Sequence, residues 1–366
     1  MSNNFCNKTS KFLAGAGWDK YCVNPLAQDA SARSYFRLTR DNSSAILMQA
    51  PTNTKSETCP DYADEKQRKQ LGYAAEARLA DNDCGAFVCI ANQLTIRGFS
   101  APHVLAADIK SGLILLEDLG KQSFFDILQN QPEQEEPIYK AATSMLAALT
   151  RCSFSKEFIY QNQKWPVLPY DKQALLAETD LLIKWYLPFL GIDLSKQQAA
   201  QLQGAWGKVL DPVMQTAPVL VLRDFHAQNL IWMQKREGVA NIGLLDFQDA
   251  VFGHAAYDLV SLLQDARRDV TASLEQPMIS RFIIAAKISD PEGFRTAYHI
   301  LGAQRAAKIL GIFVRLAKRD GKQHYLDLLP RVERHFIQNL KNPVLQPIAE
   351  ILKPVLDNIN SRLVDE

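Results

Sequence analysis

Three oxygen-bearing side chains stand out by type and spacing: Asp224, Asn229 five residues later, and Asp246. They lie in VLVLRDFHAQNLIWMQ (219–234) and IGLLDFQDA (242–250), where two short apolar runs, Leu230 to Met233 and Ile242 to Leu245, flank the turn-forming stretch Gln234 to Gly238. Paired as an antiparallel hairpin, the start of the first run lies beside the end of the second, so Asn229 faces Asp246. An amide oxygen and a carboxylate at a hairpin mouth form the hard-oxygen site that magnesium takes, with substrate phosphate and water completing its shell. Asp224, on the loop entering the hairpin, then reaches a hydroxyl held in line with a phosphoryl group, as base or orienting group. Taken singly, each residue reads as a cap or a turn former. Taken together, they meet three separate requirements of phosphoryl transfer.

The elements that must position this trio change character along the chain. Ser34 to Leu38 and Ala45 to Met48 read as a hairpin around the polar turn 39–44. Residues 52–84 read as a loop plus one exposed helix around Lys66 to Ala80, with Asp61 or Asp64 as its cap and no legible chemistry. Phe87 to Gly98 has the pattern of an amphipathic helix, and Leu113 to Leu116 is a strand-length apolar run ending in Glu117-Asp118-Leu119-Gly120. Beyond Ile138 the period turns helical, in Ile138 to Leu149, Leu175 to Leu187 and Thr296 to Lys318, interrupted only by the 219–247 region. The expectation is an α+β chain of two lobes: residues 1–119, sheet-containing and nucleotide-binding, and residues 120–366, mainly helical, carrying the hairpin and the substrate-binding helices.

Asp224-Phe225-His226-Ala227-Gln228-Asn229 resembles the D-x-H-x-x-N loop of the aminoglycoside phosphotransferase and choline kinase group, and Asp246-Phe247-Gln248 its metal-binding aspartate motif. The resemblance implies a protein-kinase-like fold, with Asp224 as catalytic base, Asn229 and Asp246 as magnesium ligands, and Leu116 to Leu119 as a hinge whose backbone, at Glu117 and Leu119, meets the adenine of ATP. A narrower similarity, to bacterial cell-wall amino-sugar kinases, covers most of the chain. It rests on residues 29–37 (DASARSYFR), 116–120, 246–250, Tyr257-Asp258-Leu259 and Gln304-Arg305 through residues 311–316. It implies phosphorylation of N-acetylmuramate and N-acetylglucosamine at the anomeric hydroxyl, in peptidoglycan recycling.

Three positions depart from the pattern. Leu222 stands where many relatives carry histidine, although Arg223 is present. The loop 29–34 has no glycine, but Ala30, Ser31 and Ala32 are small enough for backbone N–H groups to approach phosphate. The strand Ala45 to Ala50 lacks the phosphate-pairing lysine, so Arg37 or Arg33 is expected to supply that charge. The nucleotide-binding set is therefore Ser31, Arg33, Arg37, Glu117 and Leu119. His226 is expected to hydrogen-bond backbone, Asp249 to cap the segment towards Gly253, Asp258 to anchor a helix, and Glu117 and Asp118 to act through backbone atoms alone. No sugar ligand is named: Arg305, Lys308, Arg315 and Lys318 read by default as a solvated basic stripe, and Trp185 and Tyr186 as core. Two alternatives share these residues: a kinase for an aminoglycoside, choline or other small alcohol, and an inactive nucleotide-binding scaffold.

Composition sets the outer limits. The 366 residues carry 41 basic and 40 acidic side chains, so no strong field exists to hold a polyanion, and nucleic acid is not an expected partner. At 47% hydrophobic and 22% charged, the chain can bury a normal core. The six cysteines form no CxxC pair, and no run reaches the ~18 apolar residues of a membrane span. The expectation is a soluble cytoplasmic protein with a small-molecule sugar partner and no membrane association; oligomeric state is not legible.

Overall fold

The computed structural model describes residues 5–26, 32–52 and 59–364. Strands β1 (Cys22–Pro25), β2 (Ser34–Arg40), β3 (Ser43–Gln49), β4 (Val104–Asp108) and β5 (Leu113–Glu117) form one antiparallel sheet in the order β1-β2-β3-β5-β4. The β2–β3 hairpin is as expected, but its strands absorb most of the polar turn. Arg40 pairs with Ser43, and only Asp41 and Asn42 remain at the tip, with Asp41 at φ 45°.

Alternation along the strands sends residues to two different cores. Leu38, Ala45, Leu47 and Leu115 meet Leu13 and Trp18 of the N-terminal segment on one face. Met48, Ile114 and Leu116 point the other way, into a main core that continues to Ile359. Between that second face and the helical part lies helix α1 (Cys84–Ile96), capped by Asp83, whose Oδ1 accepts from the Gly85 N–H at 2.6 Å. The expected amphipathic pattern gives way here to a helix buried nearly all round, from Cys84 through Ala91, because it is covered on both sides.

The segment before α1 is the main correction to the expected fold. Instead of one exposed helix, Glu65–Leu71 and Tyr73–Glu76 form two short ones. Asp64 and Gln67 make a capping box at the first, and Gly72, at φ 97°, breaks the path between them, a conformation that favours glycine. The segment is tethered: buried Arg68 grips Asp171 with contacts of 2.6 and 3.0 Å.

Helix α2 (Lys172–Leu181) runs into a π-helical turn, Leu182–Tyr186, and packs on the 30-residue helix α4 (Pro291–Asp320). A Cβ on Gly311 would lie 2.3 Å from the Leu181 backbone, so only glycine permits this approach. Tyr186 is core, its hydroxyl donating to Glu333 at 2.5 Å. Helix α3 (Ala256–Leu263) is buried along its whole length and packs on α4 and on the helix Glu135–Thr150. Among the described residues, no helix is long and apolar enough to cross a membrane.

Candidate active site

The hairpin strands Leu230–Trp232 and Ile242–Leu244 pair antiparallel, with Leu230 opposite Leu244. That register corrects the expected facing pair by one residue: Leu245 donates its N–H to the Asn229 carbonyl at 2.9 Å, and Asp246 comes next, at φ 55°. Asn229 Nδ2 donates to the Asp224 carbonyl at 3.0 Å and meets His226 Nε2 at 3.2 Å. Both amide protons are thereby used, and Oδ1 is left to accept or ligate. The His226 ring thus holds the Asn229 side chain rather than backbone, and burial pushes its pKa down to about 4, which keeps it neutral.

The loop carrying Asp224 is clamped from behind. Asp258 accepts from the Leu222 N–H at 2.6 Å and the Arg223 N–H at 2.8 Å, so it anchors the loop as well as its own helix. Burial pushes its pKa up to about 7, against those two hydrogen bonds. Arg223, at φ 72°, is held in an unusual backbone conformation for a side-chain-bearing residue. Its guanidinium pairs with Glu178, donates to the Ala77 carbonyl at 2.8 Å and lies 4.7 Å from the Tyr170 ring centroid. Glu178 is fully buried and also takes Lys308 at 3.0 Å and Gln304 Nε2 at 2.9 Å. Leu222 packs in the main core, where the expected histidine is absent.

Two carboxylates at the mouth are driven apart in acidity. Burial raises Asp224, but the charges of Lys308, Arg305 and Arg223 outweigh it and hold the carboxyl below its usual range. Asp246 is pushed up to about 6, first by burial and then by the nearby Asp224, against a hydrogen bond from Gln248 Nε2 at 2.7 Å. Among the described residues, no group of three or more His, Cys, Asp and Glu side chains could hold a metal ion. The donors present fit magnesium of another kind: the Asn229 amide oxygen, one carboxylate that a cation would relieve of like-charge repulsion, and places left for phosphate and water. Asp249 departs from its expected capping role. It accepts from the Ala80 N–H at 2.6 Å, tying the site to the segment before α1.

The expected nucleotide-side residues separate. Ser31 lies outside the described residues. Arg33 is buried, donates to the Asp81 carbonyl and lowers the pKa values of both Asp246 and Asp249 by its charge. Arg37 is engaged elsewhere, which corrects the phosphate role expected of it. It clasps Asp118 through two contacts, 2.7 and 3.0 Å, and donates to the Gly120 carbonyl at 2.8 Å. The hinge carboxylates act through their side chains too, contrary to expectation. Glu117 pairs with Arg236, which donates to Ser100 Oγ at 2.7 Å, and Ser100 donates to the Ala240 carbonyl at 2.7 Å. Leu119 packs where a Cβ on Gly243 would sit, and among the described residues nothing accepts from its N–H.

Sequence reasoning missed Glu178 and left Lys308 on a solvated stripe. Lys308 is in fact half-buried, paired with Glu178 and 3.4 Å from the Tyr257 hydroxyl, and Arg305 donates to Ser261 Oγ at 2.7 Å. The available signal was Glu178 on the same helical face as Leu175 and Leu182, a carboxylate in an apolar stripe. Trp185 and Tyr186 join the core, as expected.

Comparison with known proteins follows the same lines. The model of the phosphotransferase enzyme family matches residues 23–292. The chain is 40% identical over 321 residues to the N-acetylmuramate/N-acetylglucosamine kinase of Caulobacter vibrioides, covering 88% of each. It is 30% identical over 341 residues to the enzyme of that name from Pseudomonas aeruginosa, covering 90% of this chain and 87% of that one. Among solved structures, the streptomycin–ATP complex of aminoglycoside phosphotransferase APH(2")-IIa superposes with TM-score 0.54 at 13% identity, covering 92% of this chain and 99% of that one. The ADP-bound form of APH(2'')-Ib does so at 0.52 and 11% identity, covering 95% and 99%. The fold is therefore the two-lobed, protein-kinase-like one, a sheet-containing N-terminal lobe and a mainly helical C-terminal lobe.

Proposed function

The chain belongs to the phosphotransferase enzyme family, and on that premise we propose that it transfers the γ-phosphoryl group of ATP to the anomeric hydroxyl of N-acetylmuramate or N-acetylglucosamine. The observation that carries this reading is the meeting of Asp224, Asn229 and Asp246 at one hairpin mouth, in a chain so similar to kinases named for those sugars. Residues 1–119 would form the lobe that holds the nucleotide, with the Glu117 carbonyl and the Leu119 N–H as adenine contacts and buried Arg33 as the cation nearest the phosphates. Residues 120–366 would supply the chemistry and the acceptor site. An ATP donor and an amino-sugar acceptor fit a cytoplasmic enzyme of cell-wall recycling.

The division of labour follows from the site's acidities. Asp224, held ionised by Lys308 and its neighbours, accepts the proton of the sugar hydroxyl as that oxygen bonds to the γ-phosphorus. The bond from phosphorus to the β,γ-bridging oxygen breaks, and ADP departs with that electron pair. Asn229 and Asp246 would hold magnesium, whose chemistry when bound is to neutralise phosphate charge. Arg305, Lys308 and Arg315 lie on α4, the first two at the catalytic loop, and such a cationic wall suits a neutral or anionic sugar and opposes a polycationic aminoglycoside.

Phosphorus NMR of the protein with magnesium-ATP tests the reading, with N-acetylmuramate, N-acetylglucosamine, an aminoglycoside and choline supplied separately. A sugar 1-phosphate signal is expected from the two amino sugars, with turnover at least about a thousandfold lower in Asp224→Ala. Product from another acceptor alone, or full activity in Asp224→Ala, would overturn it.

A further inference from the structure

Helix α4 sends a row of cations along the side that carries its contacts to α2 and α3: Arg305, Lys308 and, two turns beyond Lys308, Arg315. The first two have partners, Ser261 for Arg305 and Glu178 with Tyr257 for Lys308. Arg315 differs. Its guanidinium lies 5.0 Å from the Tyr73 ring centroid, and among the described residues it has no carboxylate partner; its buried Nε has no hydrogen-bond acceptor. The carboxylate at that end of the helix, Asp320, is clasped by Arg319 at 2.7 and 2.9 Å. Burial pushes the Arg315 pKa down, as for a cation lacking a counter-ion.

Its position relative to the chemistry is fixed through the short helix before α1. Tyr73 begins that helix, and one turn later the Ala77 carbonyl accepts from Arg223, the residue before Asp224. Tyr73 also feels the charges of Glu178, Lys308 and Arg223 along with that of Arg315, so its ring stands near the group of charges around Glu178. Side chains on a helix lean towards its N-terminus, which brings the Arg315 head back along the roughly 10 Å separating it from Lys308. An acceptor held at Asp224 and extending along this face of α4 would present its second group to Arg315.

We propose that Arg315, braced on the Tyr73 ring, is the specificity residue that binds the lactyl carboxylate of the acidic amino sugar and so separates it from its neutral counterpart. The proposal rests on the amino-sugar reading given above. N-Acetylmuramate differs from N-acetylglucosamine by that lactyl ether alone, and a planar guanidinium with no carboxylate partner among the described residues is the matching receptor for its carboxylate.

The test is the ratio of kcat/KM for N-acetylmuramate to that for N-acetylglucosamine. In Arg315→Gln the ratio should fall by about tenfold to a hundredfold, chiefly through KM for the acidic sugar, with partial recovery in Arg315→Lys. Arg319→Gln, a neighbouring charge paired with Asp320, should keep the wild-type ratio. The wild-type protein supplies a measurement that does not depend on any variant folding: the methyl ester of N-acetylmuramate should lose the same factor as Arg315→Gln loses on the free acid. If wild type phosphorylates both sugars while neither substitution nor esterification moves the ratio, the assignment of Arg315 falls and the kinase reading stands. If wild type phosphorylates neither sugar, the substrate reading falls and the assignment with it.

Discussion

The two sides of the cleft are held by opposite kinds of electrostatics. Behind the catalytic loop, Glu178 and Arg223 are 0% and 1% exposed, and Lys308 and Tyr170 join them in one closed network. At the hinge, Glu117 and Arg236 are 24% and 32% exposed, and Glu117 stands at the C-terminal end of the inner strand β5. Water screens the second pair, whereas it cannot replace a partner lost from the first. The side that carries Asp224 is thus fixed by charges that cannot separate cheaply, and the side expected to meet the nucleotide is tied by contacts that can give. Glu178→Gln puts the largest strain on this contrast. It strips Arg223 and Lys308 of their shared carboxylate and should cost about 3–5 kcal/mol of unfolding free energy, measured by urea titration. Glu117→Gln should cost no more than about 1 kcal/mol in the same experiment. Equal losses would mean that the two networks are not different in kind.

Acid should find the same asymmetry. His254 and His335 both lie in the helical part, and burial pushes each pKa down to about 4, while His103 of the sheet region is exposed. With the folded values below the unfolded value of about 6.5, the unfolded chain binds more protons between those limits. The stability these groups contribute is complete above about pH 6.5 and is lost as pH falls towards 4, at up to about 3 kcal/mol for each. Asp258 and Asp246, raised to about 7 and about 6 in the folded state, act in the opposite sense over the same range. The readout is therefore a difference between proteins: in urea midpoints from pH 7.5 to 4.5, His254→Phe should remove about one proton from the wild-type slope. An unchanged slope would show that His254 does not hold this acidity.

How much of this was legible depended on whether the information was local. The spacing of Asp224, Asn229 and Asp246 sits in two short stretches, and the hairpin joining them could be read from its apolar runs and its turn. The one-residue offset between Asn229 and Asp246 could not, because it follows from the hairpin's register, Leu230 opposite Leu244, which the apolar runs alone do not fix. The sequence offers Arg37 to phosphate because its partner, Asp118, lies 81 positions away and nothing in either neighbourhood announces the pair. The segment before α1 looked empty of chemistry because its principal ties to the site are main-chain groups, the Ala77 and Asp81 carbonyls and the Ala80 N–H, which any residue would supply. Lys308 illustrates the reverse: a basic residue on a helix is solvated by default, and only burial of Glu178 beside it reveals otherwise.

The smallest effect falls where the two sides touch. Gly243 pairs with Ile231 in the catalytic hairpin and lies under Leu119 of the hinge. An added Cβ would meet Leu119 Cδ1 at 2.9 Å, Ile231 Cβ at 3.1 Å and Met233 Sδ at 3.2 Å. The Ile231 Cβ is fixed by its strand, whereas the tips of Leu119 and Met233 can turn away, so the displacement should pass mainly to the hinge. Gly243→Ala should therefore destabilise the fold by only about 1–2 kcal/mol. Its clearer signature is kinetic: KM for ATP rising several-fold with kcat changed less, because the hinge moves and the buried clamp on Asp224 does not. Gly204, in the helix Lys196–Val209 with nothing within 4 Å of its would-be Cβ, is the matched control. Alanine there should gain roughly 0.5–1 kcal/mol and leave both constants alone. Were Gly243→Ala to lower kcat at constant KM, the strain would be reaching the catalytic loop, and the division between a yielding hinge and a rigid catalytic side would fail at the point where they meet.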